Sequence, residues 1–150
     1  GKLKKTAVLV KDSPAFLVNR LLSRMLSECL SIVDEGGDFQ QVDEALLALG
    51  LPMAPFELLP LVGLPVALHV LETLNLAFGS ERFPVSPNFK KLVEARKAGI
   101  YLREGGSMRV DPEVERLWVR TGQKAFHAEE IRDRGLHLAP VRPGPFLRHP

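Results

Sequence analysis

The stretch from Asp12 to Gly37 limits the fold more than any other part of this chain. Asp12-Ser13-Pro14 reads as a helix start, a capping side chain followed by proline in the first turn. Gly36-Gly37 reads as its stop. The helix expected between them runs to about Glu35 and measures roughly 33 Å at 1.5 Å per residue. Arg20, Arg24, Ser27 and Ser31 fall on one narrow stripe. The rest is almost entirely apolar, from Leu17, Val18, Leu21 and Leu22 through Met25 and Leu26 to Ile32 and Val33. A helix with so wide an apolar arc is buried against other helices or against a second subunit. The chain is therefore expected to be mainly α.

The remaining punctuation supports this. Asp38 and Gln41 form a capping-box pattern before Val42, Ala45, Leu46 and Leu49, and Gly50 ends that helix. Pro52-Met53-Ala54-Pro55 is a rigid link, with Pro55 opening a short helix that Gly63 breaks. Pro65 opens another, ending near Gly79. A helix is expected from Phe89 to Lys97, stopped by Gly99. Ile100–Arg103 and Ser107–Val110 flank Glu104-Gly105-Gly106 as a β-hairpin. Asp111-Pro112 caps a helix carrying Val114, Leu117, Trp118 and Phe126, and a last helix beginning at Glu129 has almost no length. Thr6–Val10 is a short β-prone run, consistent with a strand buried on both faces, yet no second long strand could flank it. Four prolines among the arginines after residue 132 point to a disordered or draped tail.

Composition excludes several classes of function. With 20 basic and 18 acidic residues the net charge is +2, which gives no general attraction to nucleic acid. No apolar run approaches the ~20 residues of a membrane span. The single cysteine, Cys29, permits no intrachain disulfide and fits a reducing cytoplasm. It lies on the apolar arc of the first helix, as a buried thiol would. There is no GxGxxG, P-loop or GxSxG, and His69, His127, His137 and His149 are not at metal-ligand spacing. His69 falls on the wet side of its helix.

One polar residue interrupts the pattern. Asn19 heads a stripe shared with Leu22, Leu26, Leu30 and Val33. An amide there must find partners or cost ~1–3 kcal/mol. From the residues alone two readings stand: a core Asn bonded to nearby backbone, or a functional group.

Lys11-Asp12-Ser13-Pro14-Ala15-Phe16-Leu17-Val18-Asn19-Arg20-Leu21-Leu22 resembles the segment that enters the C-terminal domain of 3-hydroxyacyl-CoA dehydrogenases. The resemblance continues through Glu35-Gly36, Val42-Asp43, Pro52-Met53-Ala54-Pro55-Phe56-Glu57-Leu58 and Val62-Gly63-Leu64. Arg82-Phe83-Pro84 and Leu92-Val93 are similar to the longer, multifunctional fatty-acid-oxidation members. It implies a helical domain of the 6-phosphogluconate-dehydrogenase C-terminal-like type, with one N-terminal strand and a short hairpin. Residues 1–12 would be the last strand of a Rossmann domain, 13–102 the helical substrate and dimerisation domain, 103–131 a hairpin and helix opening a second helical repeat, and 132–150 the disordered tail. The Rossmann domain would hold NAD and the catalytic His and Glu, leaving this chain without a cofactor of its own and inactive alone. The function implied is oxidation of 3-hydroxyacyl-CoA to 3-oxoacyl-CoA in β-oxidation, in the cytoplasm, by a homodimer. Neither nucleic acid nor membrane is expected as a partner. By resemblance Asn19 has an orienting role in catalysis, near the substrate's 3-oxygen, and Pro52, Met53, Ala54 and Phe56 contact substrate. The pattern departs from the family at Ala15 and Ala54, where glycine is usual, and at Pro60 and Pro65, where aspartate is. The alternatives are a non-catalytic helical interaction module, or the helical domain of another two-domain reductase.

Overall fold

In the computed structural model, residues 9–136 are described. They form seven helices and one hairpin in the order α1 (Val18–Asp34), α2 (Phe39–Leu47), α3 (Pro55–Val62), α4 (Leu64–Phe78), α5 (Pro87–Glu94), β1 (Tyr101–Glu104), β2 (Ser107–Val110), α6 (Pro112–Leu117) and α7 (Ala128–Leu136). The fold is mainly α, as expected.

The first helix begins later than its sequence suggests. Ala15 and Phe16 have φ of 59° and 52°, so Ser13–Phe16 is a turn closed by Phe16 N–H donating to the Ser13 carbonyl. Asp12 therefore does not cap α1, and Leu17 occupies the cap position without a side-chain hydrogen bond. The C-terminal end matches expectation. Gly37 N–H donates to the Ile32 carbonyl and Gly36 N–H to Val33, with Gly36 at φ 121°: a Schellman closure. The expected polar stripe of α1 is corrected. Ser27 is buried and its hydroxyl donates to the Pro84 carbonyl at 3.1 Å. Leu17, Val18, Leu21 and Leu22 are exposed instead. The second half of α1 is enclosed by other helices and its first half is not.

Asp38 caps α2 by accepting from Gln40 and Gln41 N–H. Ser86 caps α5 and Asp111 caps α6. The fifth helix stops short of Gly99: Arg96 takes φ 54° and closes it, with Lys97 N–H on the Leu92 carbonyl. The hairpin pairs Tyr101 with Val110 and Glu104 with Ser107. Its two-residue turn, Gly105-Gly106, has φ of 56° and 88°, the positive values a type I′ turn requires.

The core is built on Phe39, whose ring meets Phe56 and Trp118 edge-on, with centroids at 5.1 and 5.0 Å. Around it lie Leu30, Ile32 and Val33 of α1, Val42 and Leu46 of α2, Leu71 of α4, Phe89 and Leu92 of α5, and Ile100. Burying each large side chain contributes about 1.5–3 kcal/mol. Cys29 is fully enclosed there, and burial pushes its thiol well above its ordinary pKa. Val114, Trp118, Phe126 and Ile131 join the same core, and the boundary expected after residue 102 falls inside β1. The helix expected to carry Phe126 ends at Leu117. Trp118–His127 is irregular and docks on the end of α1, Thr121 N–H donating to the Asp34 carbonyl at 2.7 Å.

The last helix is longer than expected, so residues 132–136 belong to α7 and not to a tail. Arg134 donates to Glu28 of α1 and to Glu35 at its C-terminal cap, at 3.2 and 2.9 Å. The rest of the expected tail, residues 137–150, lies outside the described residues, as do 1–8. Of the expected strand at 6–10, only Leu9 and Val10 are described, and neither is in a strand.

Candidate functional site

Gly63 takes φ 89° between α3 and α4, and the two helices meet at 104°. That corner, set against the first half of α1, leaves an apolar cavity of about 180 Å³. One wall is Asn19, Leu22, Ser23, Met25 and Leu26 of α1. The second is Pro55, Leu58, Leu59 and Val62 of α3. The third is Val66, Ala67 and Val70 of α4. Ser23, Leu59 and Ala67 are buried and form the deep end. Asn19, Leu22, Val62 and Val66 are exposed and form the rim.

Asn19 is thus neither a core residue nor part of a plain surface. It stands at the rim, and among the described residues its amide makes no side-chain hydrogen bond. The residues expected to contact substrate do not line this cavity. Pro52 and Met53 are exposed and do not line the cavity, and Ala54 is buried in front of α3 at φ −68°, where no glycine is needed. Phe56 is wholly buried against Phe39, and its N–H donates to Asp43 at 3.0 Å. It is a packing residue and has no surface to offer a substrate. Pro55 is the one member of the proline link that reaches the cavity. Sequence reasoning missed Ser23 and the α4 wall. Val66 and Val70 carried a signal only as an apolar helix stripe, which does not distinguish a cavity from a core.

The departures at Pro60 and Pro65 lie outside the cavity lining. Pro60 sits within α3, and its ring packs on Gly99, where an added Cβ would come within 2.7 Å of it. Pro65 is in the first turn of α4. His69 is exposed, as expected. A second recess of about 190 Å³ is bounded by Val10, Lys11, Ser13, Phe16, Leu17 and Arg20. The Arg20 guanidinium stacks on Phe78 at 4.3 Å.

Two buried polar clusters fix the scaffold. Asp43 accepts from Tyr101 and from Phe56 N–H. Asn88 donates to Asp34 and to the Val119 carbonyl and accepts from Val119 N–H. Neither cluster borders the cavity. Among the described residues no group of His, Cys, Asp and Glu could hold a metal ion. No single helix among them is long and apolar enough to cross a membrane.

The helical scaffold, with an apolar cavity and one amide at its rim, defines a mainly α-helical domain. Residues 16–106 match the family model described as 3-hydroxyacyl-CoA dehydrogenase, C-terminal domain. The chain belongs to that family, and this is a 3-hydroxyacyl-CoA dehydrogenase-type domain. The family's enzymes are NAD-dependent dehydrogenases. The sheet among the described residues is the β1–β2 hairpin, and no basic side chain lines the cavity.

Proposed function

We propose that this chain is the acyl-facing half of an NAD-dependent 3-hydroxyacyl-CoA dehydrogenase of fatty-acid β-oxidation, working in the cytoplasm as a homodimer. The observation that carries this reading is the apolar cavity at the α3–α4 corner with the Asn19 amide at its rim. A fatty acyl chain needs an apolar slot, and a thioester's 3-oxygen needs a donor held where the slot opens. When NAD is bound by the Rossmann half, it accepts the hydride from the substrate's C3. The work of this chain is to bind the acyl tail, keep water from it, and orient the 3-oxygen through Asn19. Met53 and Pro52, exposed beside α3, are available to the remainder of the acyl-CoA. The dimer contact is assigned to Leu17, Val18 and Leu21, exposed apolar side chains at the start of α1, none of which lines the cavity.

The test is titration of the isotope-labelled chain with 3-hydroxybutyryl-CoA, followed by NMR and by absorbance with NAD present. The expected result is perturbation of the Asn19 side-chain amide and of Val66 and Val70, with no NADH formed. Silence at those residues would remove the acyl-site reading. NADH produced by the chain alone would overturn the division of labour between the two halves.

A further inference from the structure

Ser23 is the second polar group of the cavity. It lies four residues after Asn19 on the same face of α1, at the deep end, and only 9% of its surface is exposed. Among the described residues its hydroxyl makes no hydrogen bond. Ser27, one turn further on, does donate its hydroxyl, to the Pro84 carbonyl. A hydroxyl on the wall of this cavity, without a protein partner, is disfavoured when an apolar group seals it off, because it then loses its hydrogen bond to water. It is satisfied when the occupant brings its own donor or acceptor.

We infer that Ser23 selects an acyl tail bearing an uncharged hydrogen-bonding group at its far end, such as an ω-hydroxyl, over a plain hydrocarbon tail. The inference rests on the reading of this cavity as the acyl site and adds a substrate class to it. The geometry sets the length. Four residues of helix place Ser23 about 6 Å beyond Asn19. An extended chain advances roughly 3.6 Å over three bonds, so 6 Å spans about five bonds. With the 3-oxygen at Asn19, the far group falls near C8. A carboxylate tip is disfavoured, since no cationic side chain lines the cavity to balance it.

The experiment compares octanoyl-pantetheine with 8-hydroxyoctanoyl-pantetheine by calorimetry on the full chain, as wild type, Ser23→Ala and Ser23→Thr. Wild type is expected to favour the hydroxylated probe about five- to tenfold, the worth of one hydrogen bond. Ser23→Ala should abolish or reverse that preference, and Ser23→Thr, which keeps the hydroxyl, should retain it. Equal binding of both probes to wild type, or a preference that survives in Ser23→Ala, overturns the role of Ser23 and leaves the acyl site standing. Binding of neither probe overturns both.

Discussion

Tyr101 donates its hydroxyl hydrogen to the Asp43 carboxylate across 2.6 Å, and so fastens the β1–β2 hairpin to α2. The other oxygen of Asp43 accepts the N–H of Phe56 at 3.0 Å, in the first turn of α3. One buried carboxylate therefore holds three elements in register, and α3 is a wall of the cavity. Tyr101→Phe removes the donor and leaves Asp43 short of a partner. A hydrogen bond to a charged group is worth about 1.5–3 kcal/mol, and the urea midpoint should fall by a corresponding amount. An unchanged midpoint would show that water replaces the phenol at no cost.

Burial drives the Asp43 carboxyl up to about 6 from its ordinary 3.8, and neighbouring Glu57 adds to the rise, while the Tyr101 and Phe56 donors oppose it. The folded protein therefore holds a proton that the unfolded chain has released. Stability from this group is fully present below about pH 4 and is lost as pH rises to about 6. The full shift corresponds to about 3 kcal/mol. Asp43→Asn keeps an acceptor for Phe56 and cannot ionise. The difference in unfolding free energy between wild type and this variant should change across pH 4–6 and be constant above it. A difference independent of pH would place the Asp43 pKa near its ordinary value.

Ala15 has φ 59°, a conformation that costs an L-residue about 1–2 kcal/mol and glycine almost nothing. The family resemblance has glycine at this position. Ala15→Gly should raise the melting temperature, with the gain reduced by about 0.4–1 kcal/mol for the added freedom of the unfolded chain. A clear fall in melting temperature would mean that the turn before α1 does not adopt this conformation.

Gly36 combines φ 121° with close backbone on two sides, since an added Cβ would lie 2.8 Å from the Gly122 carbonyl oxygen and 2.9 Å from Lys124 N. Backbone cannot swing away as a side-chain tip can. Gly36→Ala should cost more than about 2 kcal/mol. Gly50→Ala, with φ 89° and open space around it, should cost about 1 kcal/mol. Equal effects in chemical denaturation would mean that the 118–127 segment is not seated on the end of α1.

Asn19 is exposed at the cavity rim. Asn19→Ala should therefore change stability by less than about 0.5 kcal/mol. In an enzyme assembled with its NAD-binding half, it should lower kcat about 10²-fold, the cost of a misplaced reacting group. A large loss of stability with normal turnover would sink the functional role.

The local signals of the sequence were enough to define the helical class, most element ends and the hairpin. Asp38, Pro55, Gly63, Gly79 and Asp111 act on backbone within a few residues of themselves, so their effect is written in adjacent letters. The motif around Asn19 likewise identified the family. What adjacent letters could not decide is which apolar residues become core. Leu22 and Leu30 belong to the same stripe of α1, yet Leu30 is enclosed and Leu22 is 42% exposed. The difference comes from Phe39, Trp118 and α7, which cover only the far half of the helix. The same holds for Phe56 and Ser23. Phe56 sits in the substrate-like motif but is drawn into the core by Phe39 and Asp43. Ser23 carries no motif and becomes the buried polar end of the cavity, because the 104° corner at Gly63 brings α3 and α4 across it. Helix periodicity sets which residues share a face. The tertiary packing decides what that face meets.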